Sequence, residues 1–278
     1  LAILFSATLI CLSYPGLNAS GSLFWTSFIG CIPMIHYLTT TTDKTKTVFL
    51  KTLCFGSIIM GVYHRWFLSL NEWAPMHWII ILFIGFSIFQ GLFYAIGLTL
   101  FKKCHHHTNS YLAFACIWTL CEWVRVLGTF GNSAGALGYS QINLLPLLQL
   151  SSIISVWGLS FICILGNILC YKLIVVYFTN TTIPILKNRS WITFNPYNTT
   201  HFYKSTLIYI FIICIAYFLG SILLNSNTST KVEHISILQG NHAQRFKFDP
   251  LNWKKIIYDY MYLTGDSIYD NIPKPSHI

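Results

Sequence analysis

The stretch Trp78-Ile-Ile-Ile-Leu-Phe-Ile-Gly-Phe-Ser-Ile-Phe-Gln-Gly-Leu-Phe-Tyr-Ala-Ile-Gly-Leu-Thr-Leu-Phe101, followed at once by Lys102-Lys103, decides the fold. It carries no charge and exceeds the roughly 20 mainly apolar residues that take a helix across a bilayer. Similar windows lie near 22–38, 49–70, 111–127, 153–178 and 207–224, and a shorter run, Leu1 to Cys11, opens the chain. The mean hydropathy of +0.58, with 54% hydrophobic and only 9% charged residues, agrees, since soluble domains are about a quarter charged. The sequence therefore predicts a polytopic α-helical membrane bundle with seven visible spans. The opening run is expected to be the end of a first helix whose start is missing. A cleavable signal peptide is the alternative for that run, but neither a basic n-region nor a small-residue cleavage site precedes Pro15.

The gaps between runs carry the orientation. Lys44, Lys46 and Lys51 lie in or beside the gap after the second run, Lys102 and Lys103 after the fourth, and Lys172, Lys187, Arg189 and Lys204 around the gap after the sixth. The gaps 12–21, 71–76 and 128–150 hold no Lys or Arg. Cytoplasmic loops of membrane proteins are enriched in Lys and Arg, so the charged gaps are expected inside and everything after Leu224 outside. The net charge of +9 is scattered over loops and tail rather than gathered into one stripe, which argues against nucleic-acid binding. Eight of the nine cysteines fall within apolar runs, where they are expected to be small buried hydrophobes rather than disulfide partners.

Beyond the bundle (1–224) the composition changes. Residues 225–231 form a polar linker, Val232 to Leu238 alternates as a short strand, and Gln239-Gly-Asn241 follows as a turn. Asp249-Pro250 then offers an N-cap with Pro at the first helical position, opening a helix from Leu251 to Leu263 that Gly265 is expected to end. One strand and one helix are too little for a core of their own, so residues 232–278 read as the start of a larger domain.

Two basic residues sit in apolar runs near their outward ends, Arg65 and Arg125. A charge within the bilayer needs a reason; either residue could hold a lipid phosphate or snorkel to the interface. Glu122 and Arg125 are three apart, share a helix face and can pair. The uncharged loop 128–149 is long enough to be functional or mobile; within it Tyr139 and Gln141 are candidates, against an interfacial aromatic anchor as the plainer role for Tyr139. Cys104-His-His-His107 could bind a metal, but it falls in a cytoplasmic gap and reads as loop; no metal or cofactor is expected.

Glu122-Trp-Val-Arg125, Leu137-Gly-Tyr-Ser-Gln141, Pro146-Leu-Leu-Gln-Leu150 and Trp157-Gly-Leu-Ser-Phe161, together with Ile237-Leu-Gln-Gly-Asn241 and Lys247-Phe-Asp-Pro250, resemble the signature stretches of bacterial apolipoprotein N-acyltransferases. The resemblance implies eight membrane helices with an αββα nitrilase-like domain on the periplasmic side between the seventh and eighth. It also implies transfer of an acyl chain from a phospholipid donor to the N-terminal diacylglyceryl-cysteine of an apolipoprotein, in the inner membrane. Glu122, Arg125, Tyr139 and Gln141, with Gln239, Asn241, Gln244 and Phe248 from the tail, are the substrate-binding candidates. The family commonly has Trp where Phe248 stands. Its chemistry uses a Cys nucleophile, a Glu base and a Lys that stabilises the oxyanion. The Glu belongs to a Trp-Pro-Glu motif that would lie just past Ile278, and no cysteine follows the Gln-Gly-Asn turn. No catalytic residue is therefore assigned, and this chain alone is expected to be inactive. The other readings are a noncatalytic remnant or partner half of a split enzyme, and a transporter; the transporter lacks visible inverted repeats.

Overall fold

A computed structural model describes residues 1–15, 23–105, 110–181, 199–226, 238–242, 246–247 and 249–269. It resolves into two compact units, Leu1–Ser226 and Asn227–Ile278.

In the first unit the apolar runs become helices: α1 (Ala2–Ser13), α2 (Ile32–Thr40), α3 (Thr45–Tyr63), α4 (Met76–Cys104), α5 (Ser110–Val124), α6 (Leu145–Thr181) and α7 (Thr199–Ser226). Among the described residues, four helical stretches are long and apolar enough to cross a membrane: Thr45–Asn71, Met76–Cys104, Leu145–Val175 and Thr206–Asn225. Ala2–Ser13 and Tyr111–Val124 are apolar but shorter.

Helices α3 and α4 pack with their backbones in close approach. A Cβ added to Gly91 would lie 2.6 Å from the Ser57 nitrogen, and one on Gly56 2.8 Å from the Gly91 carbonyl oxygen. Where lipid tails are as apolar as leucine, helices associate through such close backbone packing rather than through a hydrophobic gain. Trp118 of α5 completes the pair's inner face, with ring centroids 6.1 Å from Phe55 and 5.0 Å from Tyr94.

The two ends of the bundle differ. At one end Lys102 Nζ donates to the Thr41 carbonyl at 2.6 Å, and Asp43 accepts from Lys51 at 2.7 Å and Tyr37 at 2.8 Å. The gaps after the second and fourth runs thus lie side by side. The Lys51 ammonium, followed by the Tyr37 hydroxyl, holds the Asp43 carboxyl below the usual carboxylate range. The opposite end carries the turn from α3, the 3₁₀ segment His64–Glu72, and the loop between α5 and α6.

Several expectations change. The window 22–38 is not one helix: a 3₁₀ turn, Phe24–Phe28, precedes the nine-residue α2. Thr26 and Ser27 hydroxyls bond back to the carbonyls of Leu23 and Phe24. The freed backbone at the break is taken up from outside, by Asn167 Oδ1 accepting from Cys31 N at 2.7 Å, Asn167 Nδ2 donating to the Ser27 carbonyl at 2.6 Å, and Ser6 donating to the Gly30 carbonyl. Irregular backbone inside a bundle persists where neighbours satisfy it in this way. Helix α6 starts at Leu145, inside what the sequence marks as a gap, and breaks at Ser155 (φ 64°, ψ 175°). The expected burial of the eight cysteines in apolar runs holds for Cys11, Cys31 and Cys163, is partial for Cys121 and Cys170, and fails for Cys54, Cys116 and Cys214, which are exposed; all nine cysteines are free thiols.

In the second unit Asp249 does cap a helix, accepting from Leu251 N at 3.0 Å with Pro250 next. A 3₁₀ turn leads into α8 (Trp253–Tyr269), which runs through Gly265 instead of ending there. A glycine within a helix costs only about 1 kcal/mol relative to alanine, too little to terminate it. His242 stacks on Phe246 at 5.5 Å and meets Tyr260 of α8 at 6.0 Å. The expected strand lies outside the described residues, apart from Leu238.

A buried clamp at the end of helix α5 as the candidate functional site

Helix α5 ends at Val124, so Arg125 stands where the chain leaves the helix. Both Glu122 and Arg125 are fully buried. They do not form the contact ion pair that their spacing allows. Arg125 turns instead to the loop that follows. Its Nη1 donates to the carbonyls of Asn132 at 2.9 Å and Ala134 at 2.7 Å, with Nη2 at 3.5 Å from that of Ser133. The Asn132 amide in turn donates to the Arg125 carbonyl at 3.2 Å, closing the loop on its own root.

Glu122 works on the next part of the same loop. Its Oε1 accepts from the Leu137 amide at 2.9 Å and from Trp118 Nε1 at 2.8 Å. The buried setting raises the penalty for leaving either donor unmatched.

Other elements hold the loop between these anchors. Asn132 Oδ1 accepts from the Ala134 amide at 2.8 Å, which points its Nδ2 at His64 Nε2, also at 2.8 Å. His64 Nε2 must then be the acceptor, and the ring proton sits on Nδ1, 2.8 Å from the Met60 carbonyl. Tyr14 OH donates to the Gly135 carbonyl at 2.7 Å, and Ser160 Oγ accepts from the Gly138 amide at 2.8 Å. Gly135 has φ 79°, a left-handed turn that suits glycine. Gln90 Nε2 reaches the Phe130 carbonyl at 3.2 Å. Gln141 is fully buried and donates to Ser27 and Ser140 hydroxyls, both at 2.7 Å.

The side chains left outward include the large apolar and aromatic Leu127, Phe130 (71% exposed), Tyr139 (39%) and Ile142, with the polar Thr129 and Asn143 beside them. Of the sequence candidates in this unit, Glu122, Arg125 and Gln141 thus lie inside the protein, and Tyr139 lies on its surface. Arg65 is exposed in the 3₁₀ segment, past the end of α3. Sequence reasoning missed His64, Tyr14, Gln90 and Ser160. The signal available for two of them was a lone polar residue within an apolar run, as at His64 and Gln90.

In the second unit Gln239 and Asn241 are exposed, and Asn241 adopts a left-handed φ of 47° that Asn tolerates. Gln244 and Phe248 lie outside the described residues, as do His106 and His107; His105 Nδ1 lies 2.7 Å from the Lys102 carbonyl.

Residues 6–169, which contain every member of this clamp, match the model of the apolipoprotein N-acyltransferase N-terminal domain. The chain belongs to the apolipoprotein N-acyltransferase family. It is 30% identical over 165 residues to apolipoprotein N-acyltransferase 1 of Treponema denticola, covering 59% of this chain and 28% of that protein. It is 24% identical over 139 residues to the apolipoprotein N-acyltransferase of Geobacter metallireducens, covering 50% and 24%. A 55-residue stretch is 42% identical to apolipoprotein N-acyltransferase 2 of Treponema pallidum. The aligned part is about a quarter of the length of the first two relatives.

Proposed function

We propose that this chain is the membrane portion and the opening of the exported domain of an enzyme that N-acylates the diacylglyceryl-cysteine of lipoproteins with a phospholipid acyl donor. The observation that carries the reading is the family match over residues 6–169. The tail motifs Gln239-Gly-Asn241 and Asp249-Pro250 continue it in the expected order.

The reaction implied is two acyl transfers. A cysteine thiolate attacks the phospholipid ester carbonyl and the lysophospholipid leaves, giving a thioester. The lipoprotein's α-amine then attacks that thioester, forming the amide and returning the thiolate. No residue of this chain is assigned as the nucleophile, the Glu base or the Lys. The bundle sits in the inner membrane with the tail on the periplasmic side, a topology supported by the grouping of Lys102, Asp43 and Lys51 at one end of the helices and the α5–α6 loop at the other.

Tyr139, Gln239 and Asn241 are exposed and are proposed to contact substrate. Gln244 and Phe248 join that set on their sequence positions. The test compares this chain with the longer gene product in phospholipid nanodiscs, adding a diacylated lipopeptide and following the triacylated product by mass spectrometry. The longer product is expected to turn over and the 278-residue chain to give none. Turnover by the shorter chain would defeat the assignment of the catalytic groups, and none by the longer product would favour a noncatalytic remnant.

A further inference from the structure

We propose that Glu122 and Arg125 are positioning residues: together they hold the backbone of 126–144 in one conformation and thereby set where Tyr139 stands on the surface. The hydrogen bonds themselves are independent of the acyltransferase reading; only the catalytic consequence rests on it.

Three features carry the proposal. First, both side chains are fully buried, so neither offers its charge to a ligand at the surface. Second, their hydrogen bonds go to consecutive parts of one loop: Arg125 to the carbonyls of 132, 133 and 134, Glu122 to the amide of 137. The 3₁₀ segment Leu137–Asn143, which bears Tyr139, begins at the residue that Glu122 grips. Third, Tyr139 is tied back to the same loop, with its amide on the Ala136 carbonyl at 3.1 Å and its hydroxyl 3.5 Å from Ser133 Oγ.

Charge and geometry separate in the conservative variants. Gln in place of Glu122 keeps an oxygen that accepts from Leu137 and Trp118 while removing the charge. Lys in place of Arg125 keeps the charge but loses the planar fork that reaches adjacent carbonyls. A residue that worked by charge, on a lipid phosphate for instance, would show the reverse tolerance.

The test is amide hydrogen exchange on the 278-residue chain in detergent micelles, read over 126–144 with α4 and α6 as internal controls. Arg125→Lys and Glu122→Ala are expected to speed exchange of that segment by about tenfold or more, with Glu122→Gln close to the parent and the controls unchanged. Equal protection in Arg125→Lys, or a loop loosened as much by Glu122→Gln as by Glu122→Ala, would overturn the proposal. If Arg125→Lys unfolds α4 and α6 as well, the Glu122 pair decides alone.

In the longer gene product, Arg125→Lys and Tyr139→Ala should each lower kcat/KM, and the double variant should be no worse than the poorer single one. Additive losses would mean that Arg125 acts on substrate directly. Should no transfer activity be found at all, the functional reading fails while exchange still judges the clamp.

Discussion

The two ends of the helical unit use charge in opposite ways. At one end Asp43, Lys51 and Lys102 lie where water reaches them, and their bonds join loop to helix at the surface. At the other, Glu122 and Arg125 are sealed inside and hold the backbone of a single loop, Glu122 also accepting from Trp118 Nε1. Exposed pairs are screened and pay side-chain entropy, so they contribute little. A buried charge costs several kcal/mol to desolvate, and removing the partner of a buried polar group is strongly destabilising. The comparison teaches that the basic residues which report orientation hold little structure, and the two charges absent from that pattern hold a great deal.

The sharpest way to break the contrast is Arg125→Ala. It strips the 132–134 carbonyls of their donor and opens a cavity, and is expected to destabilise the unit by roughly 3 to 5 kcal/mol; denaturant titration in mixed micelles measures this. Glu122→Ala follows at about 2 to 4 kcal/mol, because two buried donors, the Leu137 amide and Trp118 Nε1, lose their acceptor. The same titration should give Glu122→Gln a loss of under about 1.5 kcal/mol.

Gly91→Ala sits between the ends and serves as a packing control. Its new methyl would press on Ser57 N at 2.6 Å, an overpacking expected to cost about 1 to 3 kcal/mol without loosening the 126–144 loop. A loss as large as that of Arg125→Ala would show that helix packing, not the clamp, dominates.

The smallest effect belongs to Asp43. Its folded-state pKa is depressed, so its contribution is present above the ordinary carboxylate pKa and is lost as pH falls through the lower folded value. Stability should therefore dip slightly more in the parent than in Asp43→Asn as pH drops below roughly 4. A dip of equal size in both would remove Asp43 from the account.

Much of the bundle is legible in the order of residues because a 20-residue apolar run has few alternatives in lipid. The run at 77–101 became α4 with small changes at its ends, and the run at 207–224 lies within α7, which starts earlier, at Thr199. The window 22–38 failed because its break at Gly30–Cys31 is stabilised by Asn167 and Ser6, whose approach no local pattern announces. The site shows the same division. Glu122 and Arg125 stood out as charges in an apolar run, yet their spacing suggested each other as partners. The loop that claims them begins only where α5 stops, and that boundary falls within the motif itself.

The sequence by itself determined the membrane character, the alternation of charged and uncharged gaps and the family, since hydropathy, Lys and Arg placement and motif order are properties of the chain read in one dimension. Only the tertiary structure decided that Arg125 faces backbone carbonyls, that His64 Nε2 accepts from Asn132 and that Tyr139 stands on the surface while Gln141 is buried. Those outcomes follow from hydrogen bonds between residues as far apart as Tyr14 and Gly135 or His64 and Asn132. Buried polar groups take whichever partner the packing brings within reach.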